Sequence, residues 1–296
     1  MGAFDFGIQL EQQQRHQEAL GAFRQAVEEN PANPQAWVHL GAMLLRANRC
    51  GEAVVVFNQA LALNPNDAYA WGGIIYGLNV LRQERARTTL QECDQRLASD
   101  PNLADIHHQR GAALLDLSGI ANNVDMALQA FGEALRLQPW HPLAMGDMAI
   151  TLASKKGNYP EATRIANDLL RMDPGAIKGW QALAWVYFGQ RQHQAALQII
   201  ERALMIDPNN AHSWGLKGGI LIGQATDPDL LKSFGRDDWE LTKAADAAFD
   251  RALTLDSTDF AALAGKRQVL VRRGQLRTEM AVDGALLALD ILWLLS

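Results

Sequence analysis

The chain has 296 residues, 48% of them apolar and 20% charged, with a formal net charge of -6 and two cysteines. That balance suits a well-buried fold rather than a disordered chain, gives no support to nucleic-acid binding, and leaves Cys50 and Cys93 too few for a disulfide framework. The opening MGAFDFGIQL has neither the basic start nor the apolar run of a secretory signal, and Phe6 stands where a myristoylation motif wants Ser or Thr, so a reducing, cytoplasmic setting is expected.

Prolines mark a period along the chain. Pro31, Pro65, Pro101, Pro139, Pro174 and Pro208 are separated by 34, 36, 38, 35 and 34 residues, and four of them are followed six residues later by Trp37, Trp71, Trp180 and Trp214. Two residue types at a fixed offset make the signal specific. The first unit, about residues 1–33, carries Gly7, Ala19, Phe23 and Ala26 in a small, small, aromatic, small order, with Ala3 at the tryptophan position. In the second, 34–67, Trp37, Leu40, Gly41 and Leu44 fall at i, i+3, i+4 and i+7 on one helical face. Asn48 to Gly51 supply a turn, and Ala53, Phe57 and Ala60 repeat the spacing before Pro65 stops the run. Gly41 and Ala53 are small where two helices would cross, and Trp37, Leu40 and Phe57 fill the flanks.

The third unit, 68–103, keeps Trp71, gains two residues and puts Cys93 in the place of Phe; that thiol is expected to be buried and unreactive. The fourth, 104–141, has Gly111, Ala127, Phe131 and Ala134, extra residues in the turn SGIANNVD, and His107 at the tryptophan position. The fifth, 142–176, departs furthest, with Met145 and Met148 in its first helix and Ala162 and Leu169 in a second that opens on Tyr159-Pro160. The sixth, 177–210, is regular: Trp180, Leu183, Ala184, Tyr187, Ala196, Ile200 and Ala203. The seventh, 211–259, starts with Trp214 and Gly218, is interrupted by an inserted loop at 224–241, and resumes with Ala245, Phe249 and Ala252. A terminal helix over 260–273 ends at Gly274.

The pattern W-x2-L-G-x2-L, then A-x3-F-x2-A, then P resembles the tetratricopeptide repeat, whose unit is two antiparallel helices, with Leu44 where that family usually has Tyr. The resemblance runs over nearly the whole chain, as in bacterial multi-repeat members of the superfamily. It implies an all-α, right-handed superhelical solenoid of about seven helical hairpins plus C-terminal helices over residues 1–275, with 276–296 standing apart as an apolar C-terminal helix.

No chemistry-bearing motif stands out. There is no G-x-S-x-G, P-loop, dinucleotide fingerprint or H-E-x-x-H, so neither an enzyme nor a cofactor is expected. His107 and His108 are adjacent and point apart on a helix, which leaves no metal ligand set. Asp227, Asp229, Asp237 and Asp238 miss the calcium-loop spacing and read as a solvated or partner-facing loop.

The family's first helices line a concave face that holds a peptide or protein partner. Carried over position by position, that implies His39, Ala42 and Arg46; Tyr69, Tyr76 and Asn79; Asp105, His108 and Gln109; Asp147; and Lys178, Gln181, Trp185 and Phe188 as partner-binding residues. The two-carboxylate clamp of chaperone-binding repeats is not reproduced, because only Lys178 is basic at a comparable position. An asparagine ladder is missing too: its positions hold Ala42, Tyr76, Ala112, Ile150, Trp185 and Gly219. The function these features imply is a non-catalytic interaction scaffold. From Met280 to Leu295 only Asp283, Gly284 and Asp290 interrupt an apolar run, so Leu286, Leu289, Leu292 and Trp293 would cap the solenoid, join copies into a homo-oligomer, dock on a partner or contact a membrane surface.

Overall fold

A computed structural model of the chain describes residues 2–227 and 239–272. Among them the backbone forms fourteen helices and no strand: α1 (Ala3–Gln12), α2 (His16–Glu29), α3 (Pro34–Arg46), α4 (Cys50–Leu63), α5 (Ala68–Ser99), α6 (Ala104–Asp116), α7 (Asn123–Leu137), α8 (Pro142–Thr151), α9 (Tyr159–Met172), α10 (Ile177–Gly189), α11 (His193–Ile206), α12 (Ala211–Thr226), α13 (Trp239–Leu255) and α14 (Phe260–Arg272). The chain divides into two compact units, one built on Met1–Leu81, with which the segment from Lys266 is grouped, and one on Arg82–Gly265. The expected tail residues Leu286, Leu289, Leu292 and Trp293, and Asp229, Asp237 and Asp238 of the inserted loop, lie outside the described residues. At its two ends the expected loop is helical, since α12 runs through Thr226 and α13 starts at Trp239.

The architecture is an all-α helical repeat solenoid, and one contact explains why its hairpins close. A Cβ added at Gly7, Gly41, Gly111 or Gly218 would lie 2.5 to 2.7 Å from the ring of Phe23, Phe57, Phe131 or Phe249, each fully buried on the second helix of the same unit. Glycine on one helix and phenylalanine on the other are thus two halves of one packing device. Phe57 and Phe249 are held on their other side as well, by Gly73 and Gly265. Where the ring is missing, the gap shrinks with it: Ala166 and Ile200 take the ring position in units five and six, and Ala149 and Ala184 take the glycine position in the same buried clusters.

Turn chemistry supplies the rest. Among the described hairpin turns, Gln14, Asn48, Asn122, Gly157 and Arg191 take the left-handed conformation with φ between 57 and 62°, and the turn before α7 adds Gly119 at 78°. In unit five the first helix gains a π turn at Leu152–Lys156 before Gly157 ends it, which accommodates the extra residue there.

The tryptophan period has a structural cause that the sequence pattern alone did not reveal. The indole N–H of Trp37, Trp71, Trp180 and Trp214 donates to the carbonyl of Pro31, Pro65, Pro174 and Pro208 at 2.8 to 2.9 Å, tying each first helix to the turn before it. His107 does the same for Pro101 through Nε2 at 2.9 Å.

The third unit corrects the expected count of hairpins. Residues 68–99 form one continuous helix, α5, with no turn. Ile75 occupies the glycine position and Cys93 the ring position, so the packing device is absent. Arg82, Gln83, Glu84 and Arg85, at the place of the turn, are strong helix formers with no Gly, Asn or Pro among them. Cys93 itself is buried, and burial pushes its thiol pKa up, away from the reactive thiolate.

Candidate partner-binding face

The first helices carry most of the residues implied to meet a partner, and the structure shows that many of them are already engaged. In the unit built on Met1–Leu81, His39 on α3 donates through Nδ1 to Glu11 on α1 at 2.9 Å and stacks on Phe23 with ring centroids 5.1 Å apart. Ala42 is buried, Tyr69 and Asn79 are half-buried, and the Tyr69 ring is tilted against Phe57. Arg46 and Tyr76 are exposed.

In the unit built on Arg82–Gly265 a polar ladder runs across successive first helices. His108 on α6 donates through Nε2 to Asp147 on α8 at 2.8 Å, and Lys178 on α10 donates to the other Asp147 oxygen at 2.5 Å. Gly146 permits this approach, because a Cβ there would lie 2.5 Å from the Lys178 Cβ. Burial alone would raise the Asp147 pKa, but the His108 hydrogen bond and the Lys178 charge outweigh it and hold the carboxyl below its ordinary range. Beside them His141, buried at the start of α8, donates through Nε2 to Asp105 at 2.9 Å while its Nδ1 accepts from the Ala144 amide. That pairing fixes one neutral tautomer. The next rung is Gln181 on α10, which donates to Asn210 and Ser213 at the start of α12.

Gln181 is therefore a buried tie between repeats and not a groove contact. Trp185 and Phe188 are half-buried, with the Phe188 ring set against Gly223 of α12 and the Trp185 ring tilted against Phe188. Gln109 is exposed, as is Asp105 beyond its bond to His141.

One expectation is overturned outright. Asp227 is no solvated loop residue: it is buried at the end of α12, where Arg191 holds it by two bonds and His193 donates to it through Nε2 at 3.0 Å. Asp67 and Asp259, also buried, cap α5 and α14 by accepting from the Ala70 and Ala262 amides. Among the described residues no group of three His, Cys, Asp or Glu is placed to hold a metal ion, and no helix is long and apolar enough to cross a membrane.

Known proteins agree with this architecture. Two family models described as tetratricopeptide repeat match over residues 4–68 and 153–220. The chain carries tetratricopeptide repeats over both of these segments. The crystal structure of a tetratricopeptide repeat protein from Parabacteroides merdae aligns over 91% of this chain and 97% of that one, with a TM-score of 0.50 at 18% identity. Hsp70-Hsp90 organizing protein 2 of Arabidopsis thaliana is 26% identical over 129 residues, 44% of this chain and 22% of that protein. The human mitochondrial import receptor subunit TOM70 is 22% identical over 186 residues, 61% of this chain and 30% of its own. The chain thus spans less than a third of either relative's length. Tetratricopeptide repeats generally form a non-catalytic protein-interaction fold.

Proposed function

We propose that the chain is a non-catalytic scaffold that holds a peptide or protein segment along the first helices α6, α8, α10 and α12. One observation carries this reading. One turn beyond the polar ladder, Ala112, Ile150, Trp185 and Gly219 occupy equivalent positions on those four helices, and all four are partly exposed. The ladder's charges are spent on one another, so a segment lying there meets an apolar lane with Trp185 at its centre and no unpaired cation. The names of the relatives above, an organizing protein for two chaperones and an import receptor subunit, fit a scaffold role. A terminal carboxylate makes a poor ligand, because Lys178 is already neutralised by Asp147.

Gly219 supplies the test. A Cβ there meets nothing within 4 Å, and glycine is the weaker helix former, so Gly219→Leu fills the lane without straining the fold. Peptides selected from a random display library on the full chain should bind at least tenfold more weakly to Gly219→Leu and to Trp185→Ala, as expected for an aromatic anchor. Unchanged affinity for both variants counts against the lane.

A further inference from the structure

The starts of the first helices differ in one chemical respect. At α5, α12 and α14 the amide three residues after the cap is held by an oxygen: Ala70 donates to Asp67 at 2.9 Å, Ser213 to Asn210 at 2.9 Å and Ala262 to Asp259 at 2.8 Å. At α3, Asn33 caps the amide of Gln35. At α8 the cap is a histidine, and the Ala144 amide donates to His141 Nδ1 at 3.2 Å. Amide and carboxylate oxygens still accept in mild acid, whereas an imidazole nitrogen accepts only while the ring is neutral.

We propose that His141 is an acid-operated cap: uptake of a proton at Nδ1 releases the Ala144 amide and opens the first turn of α8, loosening the joint between the fourth and fifth repeats. The ring cannot take that proton where it stands. An N–H would then face the Ala144 N–H, a cation would sit in the positive field of a helix N-terminus, and the charge would be buried in a side chain only 5% exposed. Ala144 is itself fully buried, so its amide meets water only when the turn opens. Outward, the cation has a place to go. Asp105 accepts from Nε2 at 2.9 Å, yet its side chain is 81% exposed, so the charged ring can swing toward solvent on that bond.

The charges on the surrounding helices are spent elsewhere. From α6 the ring faces Asp105 and also His108, whose centroid lies 5.3 Å from its own. His108 is bonded to Asp147 of α8, which Lys178 of α10 holds on its other oxygen. On α7, Asp125 pairs with Lys156 and Glu133 with Arg136. On α9, Glu161, Arg164, Asp168 and Arg171 pair among themselves, and Lys155 is exposed beyond the far end of α8. Asp105 is thus the carboxylate that draws the proton in, and the Ala144 amide is the group that keeps it out.

Hydrogen exchange of the Ala144 amide in the full chain reads this switch directly, because His141 is the acceptor that protects it. Between pH 8 and pH 5 its protection, corrected for the chemical exchange rate, should fall at least tenfold, in step with the ring nitrogen shifts that report proton uptake by His141. His141→Asn installs the kind of acceptor that Asn210 supplies at α12, and protection in that variant should change less than twofold over the same range. Asp105→Asn removes the carboxylate that draws the cation outward and should move the fall to lower pH. His108→Gln should leave the fall in place. Circular dichroism at pH 8 confirms that each variant is folded, and the titration of the unaltered chain stands without them. A His141 that stays neutral at pH 5, Ala144 protection that holds constant while His141 gains its proton, or a fall that persists in His141→Asn or vanishes in His108→Gln overturns the proposal.

Discussion

The second and third repeats begin alike and end differently. Each opens with a tryptophan whose indole N–H is tied to the preceding proline carbonyl, Trp37 to Pro31 and Trp71 to Pro65. In the second, Asn48 turns the chain and the Phe57 ring settles on Gly41. In the third, the chain continues straight through Arg82 to Glu84, with Ile75 and Cys93 where glycine and phenylalanine would meet. The tryptophan tie therefore fixes how a first helix is entered, not whether a hairpin follows. Closure takes a residue that tolerates the left-handed turn together with a ring and a gap to receive it.

The largest expected effect comes from removing the ring. Phe57 is fully buried between Gly41 and Gly73, so Phe57→Ala should destabilise the unit it serves by about 3 to 5 kcal/mol. Gly41→Ala attacks the other half of the device and should cost about 1 to 3 kcal/mol, because the added Cβ would stand 2.7 Å from the ring. Urea unfolding followed by circular dichroism measures both. If the two changes were harmless while their counterparts at Ile75 and Cys93 were not, the ring-and-gap account of closure would fail.

Much of this was legible in the sequence, and the exceptions have physical causes. The helical class and the small residues at the helix crossings follow from periodicity, which is a property of single helices and their nearest neighbours. The straight third repeat was less visible, because Trp71 and Pro101 preserve its outline. The signal lay in the pair Ile75 and Cys93 and in the unbroken run of helix formers between them. The contacts of the residues implied to meet a partner were the least legible. A position on the inner helices says where a side chain starts, but not that His108, Asp147 and Lys178 satisfy one another or that Gln181 reaches Asn210. Gly146 was the one hint, since it makes room for Lys178.

The ladder gives the next prediction, in pH. A carboxyl held below its unfolded value of about 3.9 contributes stability above that value and loses it as pH falls through the folded pKa. Asp147 is such a group, so the stability of the α6, α8 and α10 region should decline as pH drops from about 5 toward 2. Asp147→Asn removes the titrating group, and the acid limb of the urea midpoint against pH should flatten. An unchanged slope would mean that the His108 and Lys178 bonds do not favour the charged form.

The smallest effect gives the sharpest contrast between a repeat that turns and one that does not. Gln14 is exposed and sits at φ 60° in the first turn, a conformation that costs a side-chain-bearing residue about 1 to 2 kcal/mol. Glycine removes that strain but gives the unfolded chain more freedom, at about 0.4 to 1 kcal/mol, so Gln14→Gly should stabilise by about 0.5 kcal/mol. Gln83 lies in the middle of α5, where glycine only weakens a helix, and Gln83→Gly should destabilise by about 1 kcal/mol. Amide hydrogen exchange read separately over α1–α2 and over α5 should therefore slow in the first variant and quicken in the second. The same substitution of the same residue type then carries opposite signs, set by backbone geometry alone. If Gln83→Gly instead slowed exchange as Gln14→Gly does, the chain would be turning at residue 83 and the third repeat would be a hairpin like its neighbours.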